Sequence, residues 1–310
     1  MKILVTGGAG FIGSHIVDKC ISNGWDVVVV DNLLSGKKEN VNPKAKFYNL
    51  DITDYNKLKE VFEKEKPEVV DHHAAQIDVR KSVETPQIDA NINIIGSLNL
   101  LELSVKFGVK KFIFASSGGT IYGECKNKKP PNENSLVSPL SPYGCAKLSV
   151  EYYMNYYNKV FGLNTVSLRY ANVYGPRQDP FGEAGVIAIF VKRMLEGKEV
   201  YIYGDGKQMR DFVYVEDVVD ANIKCIVRDI KYAIYNVGTG KATSINKLFG
   251  VLKKLTNYNN SPIYKPVRKG ELIKSYLDIS KIKKELNWQP KTKLEEGIKK
   301  VIDYLNNGKI

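Results

Sequence analysis

Short apolar runs alternate with stretches of helical periodicity along most of the chain. This alternation builds a parallel sheet whose crossover helices cover both faces, so it predicts an α/β fold with a Rossmann-type doubly wound sheet. Ligands of such sheets bind at the carboxyl ends of the strands, which makes the residues after each run candidates for a site. The runs that predict strands are Lys2–Thr6, Asp26–Val30, Lys46–Leu50, Val69–His73, Lys111–Ala115, Asn164–Arg169 and Tyr235–Gly238.

A helix is predicted to begin near Tyr143. Pro139 and Pro142 disfavour helix before this point, and apolar residues recur with a helical period after it. Tyr143 and Lys147 therefore share one face of the first turn. An ammonium near a phenol, at the positive end of the helix dipole, favours the phenolate, so the pair could act as acid and base near neutral pH. The Tyr-x-x-x-Lys spacing is common by itself, and its meaning depends on the rest of the chain.

The first apolar run leads into a glycine-rich turn and then into a helical pattern. Gly8, Gly10 and Gly13 follow this run, in the segment that begins at Gly7. Glycines at this point permit a tight turn, a close approach of the backbone to a pyrophosphate, and close packing of helix on strand. Asp31 ends the second strand, where a carboxylate meets the adenosine ribose 2′-hydroxyl and repels a 2′-phosphate. The sequence therefore predicts NAD rather than NADP, although the lysines at 37 and 38 weaken the repulsion slightly.

Two further strand ends carry candidate cofactor contacts. Asp51 and Ile52 follow the third run and are expected near adenine. Ala74, Ala75 and Gln76 follow the fourth run and are expected near the ribose and the phosphates.

Short hydroxyl side chains follow the fifth run, at Ser116, Ser117 and Thr120. Such groups can hydrogen-bond a substrate hydroxyl or carbonyl, or they can simply be solvated in a loop. Their nearness in sequence to Tyr143 favours a functional role. His72 and His73 have no partner at a ligand-like spacing, so they are interpreted as core or strand-end residues, and no metal is predicted.

Length and composition limit the class of protein. A chain of 310 residues with 43% hydrophobic content can form one large domain or two smaller ones. No apolar stretch is long enough to span a bilayer, and the N-terminal run continues into glycines rather than into a secretory signal, which predicts a cytoplasmic protein. The four cysteines lie far apart, so reduced, buried thiols are expected.

The net charge of +12 could attract nucleic acid or an anionic small molecule. The lysines are scattered among acidic neighbours, as in Lys57–Lys66, and neither a basic tail nor a zinc-finger spacing is present. A solvated basic surface with a locally bound phosphorylated ligand is therefore predicted, with neither a nucleic acid nor a membrane as partner.

The glycine turn, Asp31, the Asp51-Ile52 pair, the serine segment and the Tyr143–Lys147 pair together resemble the extended short-chain dehydrogenase/reductases. Within these the chain most resembles the UDP-glucose (UDP-galactose and UDP-N-acetylglucosamine) 4-epimerases, over nearly its whole length. The resemblance implies an NAD-dependent isomerase of UDP-sugars. A hydride leaves C4 and returns to the other face of the 4-keto sugar, while Tyr143 removes the O4 proton and Lys147 assists it and binds the nicotinamide ribose.

The resemblance also assigns site residues along both halves of the chain. Expected catalytic residues are Tyr143, Lys147 and Ser117. Expected cofactor contacts are Gly7, Gly10, Phe11, Ile12, Gly13, Asp31, Asn32, Asp51, Ile52, Ala74, Ala75, Gln76, Asn93, Tyr143 and Lys147. Expected substrate contacts are Ser117, Thr120, Tyr143, Asn172, Tyr201, Arg210, Arg268, Glu271 and Ser275. Arginine suits the diphosphate because its planar guanidinium binds phosphate through two parallel hydrogen bonds.

Two interleaved domains and a homodimer are implied as well. The NAD-binding Rossmann domain is expected at 1–170 and 211–240, and a smaller α/β nucleotide-sugar-binding lobe at 171–210 and 241–310. The helices from Asn91 and from Tyr143 carry wide apolar stripes. Core packing explains most of this, and in the family such helices form a two-fold four-helix bundle.

The serine segment departs from related enzymes. Sugar dehydratases carry an Asp-Glu pair here and UDP-glucuronate decarboxylases a glutamate, whereas this chain reads Gly118-Gly119-Thr120, which argues against both reactions. Many epimerases have a hydroxyl where this chain has Gly118, so Ser117 or Thr120 must replace it, or Tyr143 must take the proton directly. Ser117 is preferred.

Substrate range is predicted from Ser275. It stands where relatives restricted to plain hexoses carry a tyrosine, so a 2-acetamido group should fit and both N-acetylated UDP-hexoses should be accepted. Glu271, in the same segment, is expected at the uridine ribose. The alternatives left open are another nucleotide-sugar enzyme on this scaffold, such as a UDP-glucuronate 4-epimerase, and a non-catalytic NAD-binding sensor.

Overall fold

The computed structural model describes residues 1–124, 129–181, 185–268 and 272–308. These residues form strands at each of the apolar runs predicted above and at several shorter segments later in the chain. The strands are β1 Lys2–Thr6, β2 Asp26–Asp31, β3 Lys46–Asn49, β4 Val69–His72, β5 Lys111–Ser117, β6 Asn164–Tyr170, β7 Asn172–Tyr174, β8 Tyr201–Tyr203, β9 Met209–Arg210, β10 Phe212–Tyr214, β11 Tyr232–Val237, β12 Thr243–Ser244, β13 Ile263–Lys265 and β14 Lys274–Ser275.

The helices alternate with the strands, with short polar caps at several of their first turns. The helices are α1 Phe11–Ser22, α2 Tyr55–Glu65, α3 Val79–Glu84, α4 Pro86–Ala90, α5 Gly96–Lys106, α6 Gly118–Ile121, α7 Pro142–Phe161, α8 Val186–Leu195, α9 Val215–Val227, α10 Ile245–Leu255, α11 Ser280–Leu286 and α12 Leu294–Asn306. Asp54 caps α2 by accepting a hydrogen bond from the Lys57 backbone N–H. Ser141 caps α7 in the same way.

Seven strands form the central sheet, in the order β11-β6-β5-β4-β1-β2-β3. The pairs β3–β2, β2–β1, β1–β4 and β4–β5 are parallel. The chain therefore begins in the middle of the sheet. Strands β2 and β3 are added on one side of β1 and β4, β5 and β6 on the other, so the strand order reverses beside β1, as in dinucleotide-binding folds. The predicted α/β fold class is confirmed, and the carboxyl ends of β1 and β4 lie side by side.

Burial explains why these runs form central strands. Ile3, Leu4 and Val5 of β1 are fully buried, and β4 is buried along its whole length. Strands covered on both faces by helices are expected to be continuously apolar, as these are. One face packs on residues of α2, α5 and α7, among them Phe62 and Leu101.

The chain forms two compact units, each made of three segments. The first unit contains residues 1–121, 139–169 and 219–235, and the second contains residues 122–138, 170–218 and 236–310. Both units are discontinuous in sequence. The division drawn from the sequence put residues 122–138, 170, 211–218 and 236–240 in the NAD-binding domain, whereas these segments cluster with the second unit.

The second unit is built on small sheets and one buried aromatic anchor. Its strands pair as β10–β7, β13–β8 and β12-β9-β14. The Trp288 indole N–H donates to the Asp217 carbonyl at 3.0 Å, and the ring is almost fully buried. The Asp217 carboxylate accepts from the backbone N–H groups of Lys291 and Thr292. One acidic residue therefore ties α9 to the chain before α12.

The helix predicted from Asn91 to Phe107 differs at its start. Helical structure begins earlier, at Pro86, and residues Asn91–Ile95 form a π-helical turn that joins α4 to α5. Such a turn inserts one extra residue into the helix, and it changes the direction of the preceding side chains. Helical periodicity alone does not reveal it.

Two other features concern the whole chain. No helix among the described residues is long and apolar enough to cross a membrane. Cys20 and Cys225 are buried thiols, and burial raises the pKa of the Cys225 thiol to about 12. Cys145 is exposed, which corrects the expectation of uniformly buried thiols, because it lies on the outer face of α7.

A buried lysine closes the carboxyl end of α9. Lys111, the first residue of β5, donates from Nζ to the carbonyl oxygens of Cys225 at 2.8 Å and Ile226 at 3.0 Å, and also to that of Arg228. The last carbonyls of a helix lack partners within the helix, and a cation there also complements the helix dipole. Burial lowers the pKa of Lys111, because it disfavours the charged ammonium. The carbonyl oxygens offset part of this cost by accepting its hydrogen bonds.

We predict that Lys111→Met lowers the free energy of unfolding by about 2–3 kcal/mol, because several buried carbonyls lose a charged donor. Lys110→Met is the matched control. Lys110 is exposed and pairs with Glu68 at 2.7 Å, and loss of such a surface pair costs about 0–1 kcal/mol. Chemical denaturation of both variants measures the difference, and equal losses would contradict the assigned role of Lys111.

Candidate active site

The glycine turn between β1 and α1 leaves no room for side chains. Gly7 has a φ of +69°, a left-handed conformation that favours glycine, and its N–H donates to the Val30 carbonyl at 2.9 Å. The Gly10 N–H donates back to the Gly7 carbonyl at 3.0 Å. A Cβ added to Gly13 would lie 2.2 Å from the same carbonyl oxygen. Helix α1 therefore packs directly on the turn.

The first turn of α1 leaves its backbone donors available. Gly10 is the N-cap, and among the described residues no side chain caps the helix. The N–H groups of the first turn, which includes Phe11 and Ile12, have no helical partner. A helix N-terminus with a close backbone approach binds a phosphate group well. The turn has the form that a dinucleotide diphosphate requires.

Asp31 ends β2 and fixes the neighbouring loops. Its carboxylate accepts from the backbone N–H of Ala9 at 3.0 Å and from that of Leu33 at 2.8 Å. Asp51, at the end of the next strand, accepts from the Asn32 amide at 2.8 Å. Burial raises the pKa of Asp51, but hydrogen bonds from Thr53 and Asn32 outweigh it and the pKa is lowered. Asp31, Asn32 and Asp51 thus gather at one edge of the sheet.

Ile52, Ala74 and Ala75 line the same end of the first unit. Ile52 is buried, and a Cβ added to Gly96 would lie 2.6 Å from its Cδ1. The Ala74 N–H donates to the Thr6 hydroxyl at 3.2 Å, and Ala75 follows it half-buried.

Gln76 and Asn93 are joined by their polar groups. The Asn93 side-chain oxygen accepts from the Gln76 N–H at 2.9 Å, and its NH₂ group donates to the Gln76 carbonyl at 3.0 Å. Both NH₂ groups also donate to Asp89 Oδ1 at 2.9 Å. Sequence reasoning identified Gln76 and Asn93 but missed Asp89, which joins them from α4.

Helix α7 brings Tyr143 and Lys147 together in its first turns. The Ser141 hydroxyl accepts from the Gly144 N–H at 3.1 Å, and Pro142 occupies the first helical position, where its missing N–H costs nothing. The Tyr143 N–H donates to Ser82 Oγ at 3.2 Å, so α3 holds the start of the helix. Sequence reasoning missed Ser82, since no local pattern links it to α7.

Lys147 is buried and bonded to the backbone rather than to the phenol. Its Nζ donates to the Ala115 carbonyl at 2.9 Å, and it lies 4.6 Å from the centre of the Phe114 ring and 5.6 Å from that of Tyr143. Burial lowers the pKa of Lys147 to about 8, although Asp89 opposes this.

The phenol differs from the sequence-based expectation. In the protein alone, burial and then the charge of Asp89 raise the pKa of Tyr143 above its ordinary value, whereas the pattern predicted a lowered one. The reason is that burial disfavours the charged phenolate, and the negative charge of Asp89 adds to this effect.

The three hydroxyl groups of the serine segment, those of Ser116, Ser117 and Thr120, differ in their surroundings. Ser116 donates to Glu151 Oε1 at 2.6 Å, and the same carboxylate forms a buried ion pair with Arg169 at 2.6 Å. Ser117 is half-buried at the end of β5. Thr120 Oγ1 is buried and has no hydrogen-bond partner among the described residues. The Ser116 hydroxyl therefore already donates its proton within the protein, to Glu151.

His72 is a core residue that fixes the neighbouring strand ends. Its ring nitrogens lie 2.7 Å from Thr6 Oγ1 and 2.8 Å from Ser97 Oγ. Ser97 donates its only hydroxyl proton to the Asn93 carbonyl, so His72 Nε2 must be the donor to Ser97. Burial, and then Lys147, lower the pKa of His72 well below its usual range. The ring is therefore neutral.

In the second unit, Arg210 and Ser275 are neighbours on paired strands. Ser275 of β14 is the register partner of Arg210 of β9, and it is buried. Arg210 donates from its guanidinium to the carbonyl oxygens of Met209 at 2.9 Å and Leu272 at 2.8 Å.

The remaining predicted substrate contacts also belong to the second unit. Arg268 is exposed, with its guanidinium 3.6 Å from the centre of the Tyr203 ring. Tyr201 lies on β8 and donates to Glu199 at 2.5 Å. Asn172 is exposed on β7. Glu271 lies outside the described residues.

The described residues indicate whether the site fits a metal ion or a dinucleotide. Among the described residues, no group of three His, Cys, Asp or Glu side chains is arranged to hold a metal ion. The cradle at Gly7, Gly10 and Gly13, which any Cβ would fill, fits a dinucleotide diphosphate. Asp31 stands at the following strand end, where an adenosine ribose is bound in such folds.

A family model describes most of this chain. Residues 3–238 match the NAD dependent epimerase/dehydratase family. The chain belongs to this family, whose cofactor is NAD.

Solved structures of high similarity support the same assignment. UDP-glucose 4-epimerase from Thermotoga maritima, solved with UDP-glucose, is 54% identical, with full coverage of both chains and a TM-score of 0.98. UDP-glucose 4-epimerase from Thermus thermophilus, solved with NAD, is 42% identical over 99% of each chain, with a TM-score of 0.94. UDP-N-acetylglucosamine 4-epimerase from Methanobrevibacter ruminantium M1, solved with UDP-N-acetylmuramic acid, is 36% identical over 99% of this chain and 98% of that one, with a TM-score of 0.93.

We predict that Gly13→Ala destabilises the protein by more than about 2 kcal/mol and removes bound NAD, because its Cβ would overlap the Gly7 carbonyl. Gly250→Ala is the control. Gly250 lies inside α10 with nothing within 4 Å of an added Cβ, so the same change should stabilise by about 0.5–1 kcal/mol. Thermal unfolding and the NAD content of each purified variant distinguish the two, and NAD retained at the wild-type level in Gly13→Ala would disprove the cradle.

Proposed function

We propose that this protein is an NAD-dependent UDP-hexose 4-epimerase that interconverts UDP-glucose and UDP-galactose. The observation that carries the proposal is the pair of a half-buried Tyr143 and a buried Lys147 at the start of α7, in a chain whose serine segment has no carboxylate. A chain of 54% identity and equal length, solved with UDP-glucose, supports the same reaction.

The first unit supplies the cofactor site. When bound, oxidised NAD supplies a hydride acceptor and a positive charge on the nicotinamide. Gly7, Gly10 and Gly13 would hold its diphosphate, and Asp31 its adenosine ribose. Lys147, already fixed against Ala115, would donate a hydrogen bond to the nicotinamide ribose.

Tyr143 is the acid and base of the proposed reaction. It would accept the proton of the sugar O4 hydroxyl as the C4–H bond breaks, and return it to O4 when the same hydride adds to the opposite face. The protein alone holds Tyr143 as a neutral phenol, because burial raises its pKa. A positive charge that reaches the pocket favours the phenolate.

Ser117 or Thr120 is proposed to replace the serine or threonine that many epimerases have at Gly118, unless Tyr143 takes the proton directly. Ser116 is excluded since it donates to Glu151. Ser117 ends β5, half-buried. Thr120 Oγ1 is buried and, within the described residues, unpartnered, which costs free energy unless a ligand supplies the missing bond.

The second unit would bind the UDP moiety. Arg210 and Arg268 are proposed for the diphosphate because guanidinium groups bind phosphate bidentately. Arg210 is already oriented by two backbone carbonyls, which reduces the entropy lost on binding. Asn172 and Tyr201 are proposed contacts of the diphosphate and the uridine, and Glu271 of the uridine ribose.

A homodimer is proposed from the outer face of α7. Aromatic side chains are exposed there, and two-fold contacts bury such self-complementary faces. These side chains are Tyr152, Tyr153, Tyr156 and Phe161.

We predict that Tyr143→Phe lowers kcat by about 10²- to 10⁴-fold, because the O4 proton has no acceptor, while NAD remains in the purified protein. Tyr55→Phe is the control, since it removes only a surface hydrogen bond to Glu102 and should leave kcat within about twofold. The assay incubates wild type and variants with UDP-glucose, UDP-galactose, both N-acetylated UDP-hexoses and UDP-glucuronate, and separates the products by chromatography. Wild type that converts none of them would refute the proposal, and conversion of UDP-glucuronate alone would replace it with the corresponding 4-epimerase.

N-acetylated UDP-hexoses are proposed as further substrates because Ser275 is small. Ser275→Tyr should lower kcat/KM for the N-acetylated pair by at least about tenfold and leave the plain pair nearly unchanged, since the added ring removes space beside the sugar C2. Ser275→Ala keeps the space and should retain all four activities. Loss of both pairs to the same extent in Ser275→Tyr, with Ser275→Ala active, would contradict the steric explanation.

A further inference from the structure

Asp89 is a buried carboxylate in a helix that packs against α7, and the proposed reaction does not use it. It lies on α4 and is about 1% exposed. Its Oδ1 accepts from the side-chain amides of Gln76 and Asn93, both at 2.9 Å. Its Oδ2 is buried and has no hydrogen-bond partner within the described ranges.

A carboxylate in this position needs a nearby positive charge. Removing a charge from water costs several kcal/mol unless it is paired or fully hydrogen-bonded, and only one oxygen of Asp89 is bonded here. Helix α4 packs against α7, which carries the buried Lys147 ammonium. Burial of that ammonium is unfavourable for the same reason, because its hydrogen bond goes to the neutral Ala115 carbonyl and not to a carboxylate.

We propose that Asp89 is a positioning residue for the active site, the counter-ion that keeps the buried Lys147 ammonium charged while it holds Gln76 and Asn93 in place. The catalytic part of this statement rests on the proposed epimerase function, and the charge pairing does not.

The pKa values of the two groups agree with the pairing. Burial lowers the pKa of Lys147 to about 8 and Asp89 opposes this. Burial raises the pKa of Asp89, and the hydrogen bond from Gln76, the charge of Lys147 and the hydrogen bond from Asn93 oppose this.

Other ionisable groups around α7 do not replace Asp89. His72 is neutral, and Glu151 of α7 is paired with Arg169. His73 is bonded to Asp71. The charged side chains of the other elements packed on α7 are either exposed or directed to further partners. They are Arg80, Lys81 and Glu84 of α3, Glu102 and Lys106 of α5 and Lys111 of β5.

The sign of the pH dependence follows from Lys147. Its pKa in the folded protein is below its ordinary value near 10.4, so between about pH 8 and 10 the unfolded chain binds more protons and stability rises with pH. Asp89→Asn removes the opposing charge and lowers the Lys147 pKa further. The variant should therefore be destabilised most near pH 7, and the deficit should shrink towards pH 10, where Lys147 is neutral in both proteins.

The experiment compares Asp89→Asn with Asp71→Asn in the full chain as purified, with NAD content recorded. Asparagine keeps the size of the side chain and one oxygen that can accept from Gln76 and Asn93. Asp71 is equally buried, and its Oδ2 also has no partner within the described residues. Thermal midpoints are measured from pH 7 to 10, and kcat/KM is measured over the same range.

We expect the Asp89→Asn deficit in midpoint to close as pH rises, and the alkaline limb of kcat/KM to move down by about one pH unit, the size of shift that a neighbouring opposite charge produces. Asp71→Asn should lower the thermal midpoint by nearly the same amount at every pH. The alkaline limb of its kcat/KM profile should stay at the wild-type pH. In a Lys147→Met background, Asp89→Asn should no longer destabilise, because the lone buried carboxylate is then itself unfavourable.

A pH-independent deficit for Asp89→Asn, unchanged by Lys147→Met, would overturn the proposal and leave Asp89 a hydrogen-bonding role only. If wild type converts no UDP-hexose, the proposed function fails, and the midpoints still decide whether Asp89 and Lys147 are paired.

Discussion

The active site depends above all on the burial of one ammonium group. Lys147 lies almost without solvent, and burial of a charge is unfavourable unless the surroundings compensate. The Ala115 carbonyl accepts its hydrogen bond, the Phe114 ring lies 4.6 Å away, and Asp89 attracts it. Together with Lys147 these groups come from β5, α4 and α7 of the first unit, and α7 packs against both of the other elements.

A hydrogen-bonded network extends from Asp89 to the centre of the sheet. Asp89 accepts from Asn93, the Asn93 carbonyl accepts from Ser97, and Ser97 accepts from His72. His72 then meets Thr6, the last residue of β1. The direction of each bond fixes the next, so His72 is held neutral with its proton on Nε2. The carboxyl ends of β1 and β4 are thus connected through hydrogen bonds to α4, which packs against α7.

Local patterns in the sequence were sufficient for the parts that depend on local physics. The glycine turn, the strand-end Asp31 and the start of α7 each follow from spacing and backbone sterics, and the fold follows from the alternation of strands and helices. Ser82 and Asp89 were missed because their importance comes from contacts across helices, which leave no periodic signal. The raised pKa of Tyr143 was missed for a related reason, since burial is a property of the whole fold.

The same negative charge acts on the two active-site groups in opposite senses. Asp89 favours the charged form of Lys147 and disfavours the charged form of Tyr143. In the protein alone, both effects favour the protonated form of each group. Tyr143 is then a neutral phenol and Lys147 an ammonium. A phenolate becomes favourable only when further positive charge enters the pocket, and oxidised nicotinamide carries that charge. In the proposed reaction, the electrostatics of the first unit would therefore favour proton removal in the state in which a hydride acceptor is bound.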